Sequence, residues 1–289
     1  MIEIQHFFDK ATFTLTYVVW DPNTLDAVIF DPVLDYDPAS SSLTLESFKK
    51  LDEFLKSKPF KVHYILETHA HADHISSSQV IKKFYPKSTL AINERIREVQ
   101  ATFSTLFDLH DFSTDGKQFD LLLKDGDVIQ AGSLKLKVVF TPGHTPACTS
   151  FIVEDAVFTG DTLFMPDYGV GRCDFPQGSA DELYTSVMNR LYTLPEKTRV
   201  FTGHDYQPNG RVMKFQSTIE EQKASNIHIN SQTNREEFVK FRTERDKTLN
   251  APKLLLPSIQ LNINAGHLPK AHSNGKSYLA IPISFKEAF

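Results

Sequence analysis

The chain has 289 residues, 40 % of them hydrophobic, and a formal net charge of -5 at pH 7. That length supports one large core or two small ones, and the lack of a basic patch argues against a nucleic-acid partner. Its two cysteines make no disulfide framework; with no basic, apolar leader at the start and no run near the roughly 20 apolar residues of a membrane helix, the expectation is a soluble cytoplasmic protein with no membrane contact.

The chain opens as β structure. Ile2–Phe8, Thr12–Trp20 and Leu25–Phe30 are rich in β-branched and aromatic residues, with a turn at Asp21-Pro22-Asn23 and Asp31-Pro32 closing the meander. Antiparallel hairpins at this point, and no GxGxxG or GxxxxGKS/T motif, argue against a doubly wound nucleotide fold. After Ser40-Ser41-Ser42, the residues Leu45, Phe48, Leu51 and Leu55 recur at helical spacing. Val62–Leu66 reads as a buried strand, and it delivers Thr68-His69-Ala70-His71-Ala72-Asp73-His74. If the strand stays extended to its end, His69, His71 and Asp73 share a face and His74 falls where the next helix begins. Three imidazoles and a carboxylate this close are costly to bury without a cation among them, and a divalent metal is the obvious one. A solvated loop is the plain alternative.

A helix over about 77–85, a strand over 89–92 and a helix capped by Asn93 and running to about Phe107 come next. Residues 110–124 read as irregular. Strands near Val128 and over Leu134–Phe140 lead into Thr141-Pro142-Gly143-His144-Thr145-Pro146. Strands Thr149–Val153 and Ala156–Thr159 lead into Gly160-Asp161-Thr162. The loop that follows carries Gly171-Arg172-Cys173-Asp174-Phe175. Ser179-Ala180-Asp181-Glu182 is a capping box opening a helix with Leu183, Val187 and Leu191 on one side. Strand Val200–Thr202 delivers Gly203-His204-Asp205-Tyr206. Beyond Gly210 a helix over 217–226 is expected, then one from a capping box at Thr233-Asn234-Arg235-Glu236 to about Thr248. Residues 257–289 mix short apolar runs with Pro, Gly and Asn.

Each group of candidate ligands follows an apolar run and is flanked by Gly, Pro or Thr. Loops anchored on rigid strands converge at one end of a sheet sandwich. His69, His71, Asp73, His74, His144, Asp161 and His204 therefore form one candidate metal centre. Gly143, Gly160 and Gly203 let the backbone pass close to it. The expected architecture has two β-halves, each covered by helices, with the polar cluster at their shared edge. No linker divides the chain, so a single domain over 1–289 is expected, with a core over 1–210 and a C-terminal extension over 211–289 packed on it.

The order His-x-His-x-Asp-His, Thr-Pro-Gly-His-Thr, Gly-Asp-Thr-Leu-Phe and Gly-His-Asp-Tyr resembles the metallo-β-lactamase superfamily over about residues 2–210. The resemblance implies an α+β fold, an αββα sandwich with its metal site at one edge and here a helical extension. It implies a first metal on His69, His71 and His144, a second on Asp73, His74 and His204, and Asp161 between them. The segment Gly171–Gly178 resembles the glutathione persulfide dioxygenase branch. Asp167-Tyr168-Gly169, Asn226-Ile227-His228, Phe241-Arg242-Thr243-x-Arg245-Asp246 and Asn262-Ile263-Asn264-Ala265-Gly266 resemble a bacterial β-lactamase-like subgroup of sulfur dioxygenases. That branch implies one Fe(II) per chain on His69, His144 and Asp161, and oxidation of glutathione persulfide by O2 to sulfite and glutathione. His71, Asp73, His74 and His204 would then orient ligands and handle protons, with Asp73 and His74 catalytic. Arg172, with its planar fork, would take a glutathione carboxylate, or else pair with Asp174 or Asp167 at the surface. Tyr206 would add a hydroxyl contact or simply pack. The alternative is a hydrolase of the glyoxalase II kind, with two Zn(II) activating water to cleave S-D-lactoylglutathione or a similar thioester. Cys148 and Cys173 read as space-filling, His228 and His110 as structural hydrogen-bonding residues, and the apolar tail leaves room for a homodimer.

Overall fold

The computed structural model describes residues 1–283. Its first half contains β1 (Glu3–Asp9), β2 (Thr14–Trp20), β3 (Asp26–Phe30), β4 (Val33–Asp37), β5 (Ser42–Thr44), α1 (Glu46–Lys56), β6 (Lys61–Leu66), β7 (Ile75–Ser76), α2 (Ser78–Phe84), β8 (Thr89–Asn93), α3 (Ile96–Leu106) and β9 (Leu121–Leu123). The second contains β10 (Val128–Ala131), β11 (Leu134–Phe140), β12 (Thr149–Val153), β13 (Ala156–Phe158), α4 (Ala180–Ser186) running into a π turn at Val187–Leu191, β14 (Arg199–Phe201), β15 (Gln216–Thr218), α5 (Ile219–Ser225), α6 (Arg235–Asp246) and α7 (Leu255–Asn262). One six-stranded sheet has the order β1-β2-β3-β6-β8-β9, the other β10-β11-β12-β13-β14-β15, and β5-β4-β7 make a small third.

Strand β2 shows how the layers are built. Its Leu15, Tyr17 and Val19 join Leu136, Val138, Phe151 and Phe158 in the core between the sheets. Val18 and Trp20, on the opposite face by strand alternation, join Phe48, Leu51 and Leu55 of α1. Both faces are covered, so the strand is apolar throughout rather than alternating. Ile81, Val99, Phe103 and Ile259 bring α2, α3 and α7 onto the same outer face. Leu183, Val187, Ile219 and Phe238 cover the far side of the second sheet. The result is helix, sheet, sheet, helix: the αββα sandwich. Between the sheets Phe158 stacks on Phe30, ring centroids 4.4 Å apart, and on Phe201 at 5.0 Å. Burying each such ring contributes about 1.5–3 kcal/mol.

Several elements differ from the sequence expectations. Leu121–Leu123 is a strand inside the stretch read as irregular; it pairs in parallel with β8 but is too short to show a period. Strands β4, β5 and β7, which pair antiparallel in the small third sheet, are not expected from the sequence either. Helix α6 is capped by Asn234, whose side-chain oxygen accepts from the N–H groups of Glu236 and Glu237. Thr233 instead accepts from Asn230 N–H, so the box expected from Thr233 does not form. A reciprocal box does form at Thr218 and Glu221, opening α5. The tail read as mixed from Pro257 contains helix α7, with Ile259 and Ile263 fully buried; residues 284–289 lie outside the described residues. No helix among the described residues is long and apolar enough to cross a membrane.

Candidate metal centre

Strand β6 ends just before His69, β13 just before Asp161 and β14 just before His204, and the β11–β12 connection carries His144. These junctions meet at one edge of the sandwich. Backbone bonds stitch them together: Leu15 N–H to Gly203 C=O at 2.8 Å, Thr149 N–H to Thr68 C=O at 2.9 Å, and Gly203 N–H to Gly160 C=O at 3.0 Å. Gly143 holds φ at +142°, and a Cβ there would lie 2.4 Å from Leu183 Cα. Gly143→Ala should therefore destabilise the fold by about 1–3 kcal/mol, read as a lowered urea midpoint; an unchanged midpoint would show that the turn tolerates a side chain.

The ligand atoms fall into two groups. One atom each of His69, His144 and Asp161 lie within 4.8 Å of one another, and so do those of His71, Asp73, His74 and His204. Asp161 spans the two. Its Oδ2 is 3.6 Å from His144 Nε2 and 4.0 Å from His69 Nε2, and its Oδ1 is 3.3 Å from His204 Nε2. The shared face expected for His69, His71 and Asp73 is not observed. Strand β6 stops at Leu66 and residues 67–74 run through turns, so His69 faces the first group and His71 and Asp73 the second. The His71 ring lies between the two groups, its centroid 4.1 Å from that of His69 and 4.1 Å from that of His74.

Each imidazole is held through one nitrogen while the other faces the centre. His144 donates from Nδ1 to the Arg172 carbonyl at 2.6 Å, which leaves Nε2 as the lone-pair nitrogen. His69 Nδ1 meets Thr68 Oγ1 at 3.0 Å. His74 Nδ1 and His204 Nδ1 lean on the Thr14 hydroxyl at 3.3 and 3.4 Å. His71 is turned the other way, with Nε2 on Asp31 Oδ1 at 3.0 Å and Nδ1 facing inward. Burial disfavours charge on His71, but Asp31 and Glu67 overcome it and raise its pKa well above the ordinary value. Burial, helped by the other imidazoles, pushes His69 well below it, so His69 stays neutral. Asp73 is the converse: burial works against its charge, yet His204 and His74 hold it far below the usual carboxylate range. Asp31 and Glu67 were not legible as site residues, since nothing in the sequence separates Asp31 from any other aspartate of a turn.

The centre fits a metal. His69 Nε2, His71 Nδ1, Asp73 Oδ2, His74 Nε2, Asp161 Oδ1 and His204 Nε2 are all buried without a hydrogen-bond partner. Left so, each would cost about 1–3 kcal/mol; divalent cations satisfy such atoms together. The donors are nitrogen and oxygen alone. Cys148 is buried, its thiol pushed up to about 12 by desolvation, and offers no thiolate.

The family model of the metallo-beta-lactamase superfamily matches residues 9–204. The chain belongs to that superfamily. It is 46% identical over 285 residues to "Glyoxylase B2" of Dictyostelium discoideum, covering 98% of this chain and 97% of that one. It is 33% identical over 254 residues to "Persulfide dioxygenase ETHE1, mitochondrial" of Homo sapiens, covering 87% and 83%. The solved structure of ETHE1 from Myxococcus xanthus matches it with a TM-score of 0.73 and 29% identity, covering 92% of this chain and all of that one.

Beside the superfamily's metal edge lies the 165–178 loop. Arg172 points its fork at Asp174, both contacts at 2.5 Å, and donates to the Asn250 carbonyl. This is the surface pairing weighed above; what reaches the centre is the Arg172 backbone oxygen. Gly171 packs so closely that a Cβ would lie 2.2 Å from the Asp161 carbonyl oxygen. Tyr206 stacks on His204 with centroids 5.5 Å apart, and on Tyr168 at 4.8 Å. Burial and the charges of Asp73 and Asp161 hold its phenol well above the ordinary pKa, so it keeps its proton. His228 accepts from Val170 N–H, its pKa lowered to about 4, chiefly by burial. Arg245 is a residue the sequence did not single out for binding. Its Nε is buried without a hydrogen-bond partner, and its charge is felt by Tyr168 and His228.

Proposed function

We propose that the chain oxidises glutathione persulfide with O2 to sulfite and glutathione, using one Fe(II) on His69, His144 and Asp161. The observation that carries this reading is the gathering of two imidazoles and one carboxylate, His69, His144 and Asp161, with one ligand atom each within 4.8 Å of one another. Such a set occupies one side of an iron and leaves the other open to ligands. When bound, the iron would supply the redox and Lewis-acid chemistry that O2 and the persulfide need. The chain's residues do the rest. The Arg172 carbonyl fixes the His144 ring, Thr68 fixes that of His69, and Asp161 ties the two groups together. Asp73, held ionised by His204 and His74, orients those rings, and His74 relays protons, with His71 held by Asp31 behind them. Tyr206 donates its hydroxyl to substrate. With the Arg172 fork engaged by Asp174, Arg245 is the cation we assign to a glutathione carboxylate. The free, buried state of Cys148 and Cys173 suits a reducing, cytoplasmic setting.

Arg245→Gln should raise KM for a glutathione-linked substrate by about tenfold or more, the size of one charge-assisted hydrogen bond, with kcat within about twofold. An unchanged KM would remove Arg245 from binding.

A second reading is favoured by the donor-rich second group, His71, Asp73, His74 and His204, and by the likeness to a glyoxylase. It is hydrolysis of a glutathione thioester with two Zn(II). Anaerobic purification, metal analysis and oxygen uptake with glutathione persulfide discriminate the two. About one iron per chain with uptake supports oxygenation. Two zincs, no uptake and hydrolysis of S-D-lactoylglutathione would overturn it.

A further inference from the structure

The stretch Asn262-Ile263-Asn264-Ala265-Gly266 lies far along the chain from every candidate ligand, yet its first residue touches the histidine loop directly. Asn262 Nδ2 donates to the His71 carbonyl at 2.8 Å and to the His74 carbonyl at 2.7 Å, while Oδ1 accepts from Ser76 N–H at 2.9 Å. The side chain is 5% exposed, so these contacts have no water in competition with them. Residues 67–74 belong to no strand, so this backbone lacks the ladder that fixes its neighbours.

The asparagine is itself tightly held. Helix α7 ends in left-handed residues, Ala265 at φ +56° and Gly266 at φ +79°, and Gly266 N–H returns to Leu261 C=O at 2.8 Å. Gln100 Nε2 of α3 donates to Ile263 C=O at 2.8 Å, and Gln79 Nε2 of α2 to Ala265 C=O at 2.8 Å. Ile259 and Ile263 are sunk in the helix-side core. The clamp therefore sits on a rigid frame.

We propose that Asn262 is a positioning residue of the metal centre: it sets the spacing between His71 and His74 by holding both their carbonyls with one amide. An amide is the group that does this, because two donors and one acceptor issue from a single planar end. The assignment rests on reading the two histidine and aspartate groups as a metal centre in which each group can hold a cation when metal is supplied in excess, whether or not turnover uses both.

Titration of the metal-free full-length chain with Co(II), followed by visible absorption and calorimetry, tests it. The wild type should take up Co(II) in two steps, one for each donor group. In N262A the step belonging to His71, Asp73, His74 and His204 should weaken by about 10- to 100-fold, while the step belonging to His69, His144 and Asp161 stays within about twofold. N262D conserves volume and the Ser76 contact but turns an oxygen toward the two carbonyls. It should show the same selective loss, so a folding defect in N262A does not hide the result. Equal weakening of both steps in N262A and N262D would reduce Asn262 to a general structural role and overturn the proposal. Two unchanged steps, or a single step in the wild type, would also overturn it. A wild type that binds no Co(II) would instead refute the metal centre itself.

Discussion

His144→Ala abolishes turnover with either a persulfide or a thioester substrate, a loss of at least about 10³-fold, or roughly 4 kcal/mol of transition-state stabilisation. Both candidate reactions use this nitrogen. Its Nε2 lies 3.6 Å from Asp161 Oδ2, and its Nδ1 is committed to the Arg172 carbonyl, so no neighbour can replace it without rebuilding the loop. The variant should keep its fold, because His144 belongs to none of the three large apolar clusters. Far-ultraviolet circular dichroism should be unchanged while bound metal falls. Initial rates and metal content measured on the same sample make the check, and a folded variant that retained activity would remove His144 from the centre.

Asp246→Ala is expected to cost about 3–5 kcal/mol of stability, a fall in Tm on the order of 10 °C. Arg242 is among the largest fully buried side chains, at 1% exposure, and Asp246 is its acidic partner. Removing the carboxylate strands a guanidinium in the interior. It also strips the acceptor from Cys173 N–H, now bonded to Asp246 Oδ2 at 2.7 Å. Cys173 follows Arg172, whose carbonyl steers His144, so activity should fall at temperatures where the variant is still folded. Replacing the pair together by apolar residues, Arg242→Met with Asp246→Leu, should recover most of the stability, because no buried charge is then left alone. It should not recover the activity, since Cys173 N–H still lacks its acceptor. Thermal melts of the single and double variants decide the matter; a single variant melting within about 2 °C of the parent would show that the pair carries little.

The second effect and the Asn262 clamp run through the extension that follows Gly210. Helix α6 reaches the centre through Asp246, Cys173 and Arg172, and α7 reaches it through Asn262. The candidate ligands lie in the first part of the chain, but the later helices hold two of the loops that aim them.

The sequence by itself determined the superfamily and marked the candidate donors. That information is local: His69–His74, His144, Asp161 and His204 sit in short motifs just past apolar runs, and a strand followed by a ligand-rich turn can be read within a few residues. It also carried the long strands and helices, because burial on both faces of β2 and on one face of α1 leaves periodic marks. Only the tertiary structure decided how the donors are shared. The partition of His69 from His71 depends on where β6 ends, and the aim of each ring depends on partners far along the chain: Asp31 for His71, Thr14 for His74 and His204, the Arg172 carbonyl for His144. The fork of Arg172 illustrates the limit, since its residue type suits a substrate carboxylate equally well, and the proximity of Asp174 gave it another partner. Asn262 is the extreme case, 191 residues from His71. Backbone carbonyls have no sequence signature, so a side chain that recognises two of them becomes visible only when the chain is folded.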